Sequence, residues 1–204
     1  MYSESITDPS TFWSAIASEF HWKEPWDPAN IVQGNFDTMK GPISTSFFSG
    51  AKTNIAWNCL DEQISKGRGD TAAFVWEGNG LGENKTMSYS EVCSEVNKLA
   101  NWLRRIGVEK GDRVIIYMPM ILELPISMLA CARIGAVHGV VFAGFSAESL
   151  SQRLIDSEAK TILTCNAVLR GTKLLDLKSI VDNAIELGED RCRITHCLCV
   201  ANER

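Results

Sequence analysis

From residue 71 onward, short β-branched runs alternate with stretches of helical period, and this alternation restricts the folds open to the chain. "TAAFVWEG", "DRVIIYM", "VHGVVFAG", "KTILTC" and "THCLCVA" read as strands. Helical patterns separate them. Within "YSEVCSEVNKLANWLRRIG", Val92, Val96, Leu99, Ala100, Leu103 and Ile106 form one apolar stripe, and Gly107 is a natural stop. Ser88 and Glu91 stand three apart, the spacing of a capping box. "ELPISMLACARIGA" begins near Leu124, because Pro125 fits only a first turn, and ends at Gly135. "SAESLSQRLIDSE", capped by Ser146, and "DLKSIVDNAIELG" complete the set. The order β-α-β-α-β-α-β-α-β predicts an α/β fold: a doubly wound, mostly parallel sheet with helices on both faces. Ligands of such sheets bind beyond the carboxyl ends of the strands.

The first 70 residues read differently. Asp8 and Pro9 open a helix over "STFWSAIASEF", as cap and first helical residue. "HWKEPWDPANIVQGNFDTMKGPISTSFFSG" holds Pro25, Pro28 and Pro42 and is expected to be an irregular arm, pinned by Trp22, Trp26 and Phe36. "NIAWNCLDEQISK" carries Ile55, Ala56, Cys59, Leu60 and Ile64 at helical spacing. No run of 18 apolar residues exists, and the amino terminus has neither the basic nor the apolar region of a secretory signal. Seven cysteines spread through apolar segments predict a reduced, intracellular compartment. A net charge of −5 without a basic stripe argues against nucleic-acid or anionic-membrane partners. Any phosphate must therefore be held by a local cluster.

Most candidate chemistries fail on spacing. "GNGLGE" (78–83) and "GAVHGVVFAGFS" both miss the G-x-G-x-x-G fingerprint, and the former precedes a strand-like stretch. There is no Walker-type phosphate loop and no G-x-S-x-G elbow. Cys192, His196, Cys197 and Cys199 are close in sequence, yet on a strand Cys197 and Cys199 face one way and His196 the other. Cys131, Cys165 and His138 read as core residues, and Glu91, Glu95, Glu148 and Asp156 as caps or solvated faces. What remains is "VLRGTKLLDLK" at the exit of the "KTILTC" strand, where Arg170, Lys173 and Lys178 gather in an acidic protein. Gly171 allows close backbone approach, Arg170 offers a planar fork and Lys173 a point charge. This is either an anion site or an ordinary solvated loop leading into a helix.

"AKTNIAWNCLDEQISKGRGDTAAFVWEGN", "GDRVIIYMPMILELPISMLACARIGAVHGVVFAGFSAESLSQRL" and "LTCNAVLRGTKLLDLK" resemble the AMP-forming acetyl-CoA synthetases (acetate–CoA ligases) of the adenylate-forming ligase superfamily, in plant-like wording. The resemblance covers nearly the whole chain. It implies an extension over 1–67, then a truncated first part of the AMP-binding domain over 68–204. The family joins acetate to coenzyme A through acetyl-AMP, consuming ATP with Mg²⁺ and releasing AMP and diphosphate. Its R-G-G-K segment contacts the nucleotide end of coenzyme A. That segment maps onto Arg170, Gly171, Thr172 and Lys173, with Thr172 in place of the second glycine. No catalytic or metal residue is carried over. The ATP-binding loop, the Mg²⁺ site and the catalytic lysine are expected in a missing carboxyl-terminal part of the same enzyme, which leaves the fragment alone inactive. Acetate, ATP and coenzyme A are the implied small-molecule partners, in the cytoplasm or a plastid. A propionate–CoA ligase, or a non-catalytic short isoform serving as a binding module, are the alternatives; a nicotinamide oxidoreductase lacks its fingerprint.

Overall fold

The structure is a computed structural model, and it describes residues 1–202. The chain divides into two compact units, Met1–Glu62 and a second beginning at Gln63. In the first, α1 (Tyr2–Thr7) is followed by α2 (Pro9–Ala17), whose Asp8 cap accepts the Thr11 N–H at 3.1 Å. β1 (Val32–Asn35) and β2 (Ser44–Phe47) pair antiparallel, so the stretch expected to be irregular contains a small hairpin. Its aromatic cluster is Trp22, Trp26 and Phe48, with ring centroids 5.1–5.4 Å apart. Phe36, expected in that role, is 76% exposed. The residues in the cluster are those flanking the hairpin's ends, and Phe36 lies just past β1. The helix expected over 54–66 forms from residue 55, much of it widened into π turns at Trp57–Asp61 and Ile64–Arg68, with Gly67 already left-handed at φ 77°. Ala56 and Leu60, four apart, remain buried through the wider turns.

The second unit opens with β3 (Ala72–Glu77) and β4 (Asn84–Ser88), an antiparallel hairpin. Then follow α3 (Tyr89–Arg105), β5 (Arg113–Met118), α4 (Glu123–Ile134), β6 (Val137–Phe142), α5 (Ala147–Ser157) and β7 (Thr161–Cys165). A second hairpin, β8 (Ala167–Arg170) and β9 (Lys173–Asp176), precedes α6 (Leu177–Gly188) and β10 (His196–Val200). The central sheet is parallel, in the order β10-β7-β5-β6. The first strand of the sequence-based alternation therefore does not join it: β3 pairs with β4 across the glycine-rich turn instead. A turn this short returns the chain antiparallel; a parallel partner needs a crossover of a dozen or more residues.

The helices cover both faces. Ile115 and Tyr117 of β5 pack with Leu150 and Leu154 of α5 and with Val181 and Ala184 of α6. Strand alternation turns Val114, Ile116 and Met118 to the opposite face, where α4 lies on β5 and β6 and packs in turn on α3. The stripe read in α3 is its buried face: Val92, Val96, Ala100 and Leu103 are at most 4% exposed. Gly135 ends α4 in the left-handed conformation, φ 77°. Ser146 caps α5 and Asp176 caps α6, each accepting the backbone N–H three residues on.

The capping box of α3 is complete: Ser88 Oγ accepts the Glu91 N–H at 3.3 Å and Glu91 Oε2 accepts the Ser88 N–H at 2.7 Å. Ser88→Ala is expected to cost about 1 kcal/mol in urea unfolding. The Ser88 backbone N–H holds the Glu91 carboxyl below its usual value. Because the folded value is depressed, the contribution is present above the unfolded glutamate pKa and disappears as pH falls through the folded one. Glu91→Gln should therefore flatten the acid limb of a Tm-against-pH curve and leave the curve above neutrality parallel to wild type.

Candidate functional site

The strand order decides where a ligand can enter. β5 lies between β6 and β7. The helix leaving β5 crosses one face of the sheet, while those following β6 and β7 cross the other. The chain thus parts at the carboxyl ends of β5 and β7, the switch point at which doubly wound sheets take their ligands. A cleft of about 530 Å³ opens there. Its floor is made by Met118–Ile121 after β5 and Phe142–Gly144 after β6, one wall by β8, and the other by the β3–β4 hairpin.

Each lining segment is held by a specific contact. Tyr117, fully buried, donates its hydroxyl to the Phe145 carbonyl at 2.8 Å and draws in the loop after β6. Phe142 is 61% exposed with its ring in the cleft. That ring folds over Gly144: a Cβ there would meet its Cδ1 at 3.0 Å, so a larger residue would push the ring aside. Trp76 of β3 donates Nε1 to the Met120 carbonyl at 2.7 Å, pinning the chain just past β5. Asn166 and Asn202 clamp the root of the second hairpin. Asn166 Oδ1 accepts the Asn202 N–H at 2.7 Å, and Asn202 Nδ2 donates to the Ala167 carbonyl at 2.9 Å.

The four residues singled out by sequence sit at the tip of the β8–β9 hairpin. Arg170 and Lys173 are partners in register, directly opposite each other, with Gly171 and Thr172 as the turn. Gly171 has φ 62°, the left-handed region. Arg170 and Gly171 line the cleft, while Thr172 and Lys173 lie outside its lining on the exposed tip. Among the described residues neither Arg170 nor Lys173 forms an ion pair or a side-chain hydrogen bond. Lys178 is different. It sits in the first turn of α6 and binds both Asp182 oxygens at 2.6 and 2.7 Å, and that bond raises its pKa. The three cations thus separate into two without counter-charge and one already neutralised. Like charges directly opposite on paired strands repel, at a cost of up to about 1 kcal/mol. Across the cleft the charge is negative, from Glu77 and Glu83.

Residues discounted on spacing are also inert by environment. Burial pushes the thiols of Cys131 and Cys165 up to about 12 and about 11, so neither is a thiolate at neutral pH. Burial also holds His138 below the usual imidazole value. On β10 the burial pattern alternates, with Cys197 and Cys199 exposed and His196 on the opposite side. Among the described residues, no group of three or more His, Cys, Asp or Glu side chains is placed to hold a metal ion, and no helix is long and apolar enough to cross a membrane. Sequence reasoning missed Trp76, Asn79, Phe142 and Asn202 as lining residues. An aromatic residue beside glycine in "FAG" is a usable sign of the third; the others depend on two hairpins that the alternation did not reveal.

The profile of the AMP-binding enzyme family matches residues 60–203, and that of the acetyl-coenzyme A synthetase N-terminus matches residues 1–59. The chain belongs to the AMP-binding enzyme family. It is 53% identical over 203 residues to the chloroplastic/glyoxysomal acetyl-coenzyme A synthetase of Arabidopsis thaliana, a match covering 99% of this chain and 27% of that protein. Against the acetyl-coenzyme A synthetase of Drosophila melanogaster it is 46% identical, covering 98% of this chain and 30% of the other. This chain therefore spans less than a third of the length of these relatives. Among solved structures, the acetoacetyl-CoA synthetase from Streptomyces lividans superposes with a TM-score of 0.83 at 22% identity, over 98% of this chain and 29% of that one, a likeness of fold.

A methyl group at Gly171 would meet nothing within 4 Å, so its cost is backbone strain alone. Gly171→Ala should destabilise the chain by about 1 kcal/mol. Gly171→Asn, which tolerates the left-handed region, should cost less. Equal losses in chemical denaturation would place the strain elsewhere.

Proposed function

We propose that this chain is the amino-terminal part of an AMP-forming acetate–CoA ligase, and that its cleft receives the nucleotide end of coenzyme A. The observation carrying this reading is the pair of cations Arg170 and Lys173, set side by side at a strand exit without counter-charge. An anion seated between them relieves their repulsion, and a phosphate answers both the planar fork and the point charge. Gly171 lets the backbone come close, and the Thr172 hydroxyl is a further donor. Glu77 and Glu83 repel anions from the far wall, which directs the phosphates to the hairpin tip and leaves the uncharged parts of the ligand to the apolar floor. The exposed Phe142 ring offers that floor a flat face. Acetate, as the carboxylate that accepts the adenylyl group of ATP with release of diphosphate, is suggested by likeness to acetyl-coenzyme A synthetases that match 91–99% of this chain at 43–53% identity. ATP and Mg²⁺ would be held by the portion of the longer protein that this chain does not span.

Two experiments test the reading. In the full-length ligase carrying this segment, Arg170→Ala should raise KM for coenzyme A by roughly 10- to 100-fold, the value of one charge-assisted hydrogen bond. Acetyl-adenylate formation should be nearly untouched; an equal loss in both half-reactions contradicts the role. The 204-residue chain by itself should show no acetate-dependent ATP–diphosphate exchange, and clear turnover would refute the assignment of ATP binding to another part of the protein.

A further inference from the structure

The "GNGLGE" turn between β3 and β4 fails as a nucleotide fingerprint, but its packing gives it another role. The loop is knotted around one side chain. Gly78 N–H donates to the Glu83 carbonyl at 2.6 Å, Glu83 N–H to the Gly80 carbonyl at 3.1 Å, and Gly80 N–H to Glu83 Oε2 at 3.1 Å. The glycines are required for this. A Cβ on Gly80 would lie 2.8 Å from Glu83 Cδ, and one on Gly78 would collide with Glu83 Oε2 and stand 2.6 Å from Trp76 Cη2. Trp76 is in turn fixed to the Met120 carbonyl at 2.7 Å. Out of this stiff loop Asn79 extends its amide and donates Nδ2 to the Leu169 carbonyl at 3.1 Å, across 90 residues of sequence.

Leu169 is the residue before Arg170. The β8–β9 hairpin packs on the core only at its root, through Val168 and Leu175; toward the tip Leu169 is 38% and Leu174 63% exposed, and both tip cations are exposed. A two-stranded hairpin is marginal in water without further support. Asn166 and Asn202 secure its root at Ala167; Asn79 reaches further along the strand, next to the guanidinium-bearing residue. We propose that the Gly78–Glu83 loop is a bracket, and that Asn79 is a positioning residue that sets Arg170 for the phosphates of coenzyme A. This rests on the phosphate role given to Arg170 above.

The test is a double-mutant cycle in the full-length ligase carrying this segment, with coenzyme A titrated by calorimetry. Asn79→Ala should weaken binding about fivefold where Arg170 is present, the factor corresponding to one ordinary hydrogen bond. On an Arg170→Ala background it should change nothing, because the residue it positions is gone. In the free protein, amide exchange at residues 170–173 should quicken by a similar factor. Gly80→Ala, which disturbs the bracket and keeps Asn79, carries the same cycle if Asn79→Ala does not unfold cooperatively. A loss of the same size in both backgrounds means general destabilisation and overturns the proposal. If Arg170→Ala weakens binding and neither bracket variant does, the bracket alone falls. If Arg170→Ala leaves affinity unchanged, the phosphate role falls and takes the bracket with it.

Discussion

Two positive side chains face each other across the turn end of a hairpin, and neither forms an ion pair with an acidic side chain among the described residues. Placed opposite each other, the two like charges repel, at a cost of up to about 1 kcal/mol. Several acidic residues of this unit are engaged elsewhere. Asp176 caps α6 by accepting the Ser179 N–H and hydroxyl, and Asp182 holds Lys178. Glu83 is folded into its own loop. The local field at the tip is therefore positive although the protein's total is negative, and a short-range site of this kind needs no basic surface around it.

The remaining structure places that field where a ligand can reach it. The sheet order opens the cleft between β5 and β7, and the hairpin grows directly from the carboxyl end of β7. Burial of Tyr117, the glycine beneath Phe142, the Trp76 tether and the asparagine clamps then hold four separate loops around one volume. Among the residues weighed for catalysis, burial raises the Cys131 and Cys165 thiols and lowers His138.

The parallel core was legible in the sequence because its signals are local and redundant. The stripe in α3, the caps at Ser88 and Ser146, and the stops at Gly107 and Gly135 all agree with the fold. The two hairpins were not. "VLRGTKLLDLK" lacks the alternation of a half-buried strand, because only Val168 and Leu175 pack on the core and the tip half of both strands is exposed, tied down by asparagines from elsewhere. "NKTMS" likewise carries only Met87 inward. The candidate residues Arg170 to Lys173 were found through family likeness and charge, but their opposition across a ladder, and the role of Asn79, depend on tertiary contacts that no spacing encodes.

The most direct measurement is a crystal structure of the longer protein containing this segment, with coenzyme A bound. The account predicts phosphate oxygens within hydrogen-bonding distance of both the Arg170 guanidinium and the Lys173 ammonium, with the ligand's uncharged portion running over Phe142. Coenzyme A bound with its phosphates away from the hairpin, and the two cations still facing solvent, would contradict it.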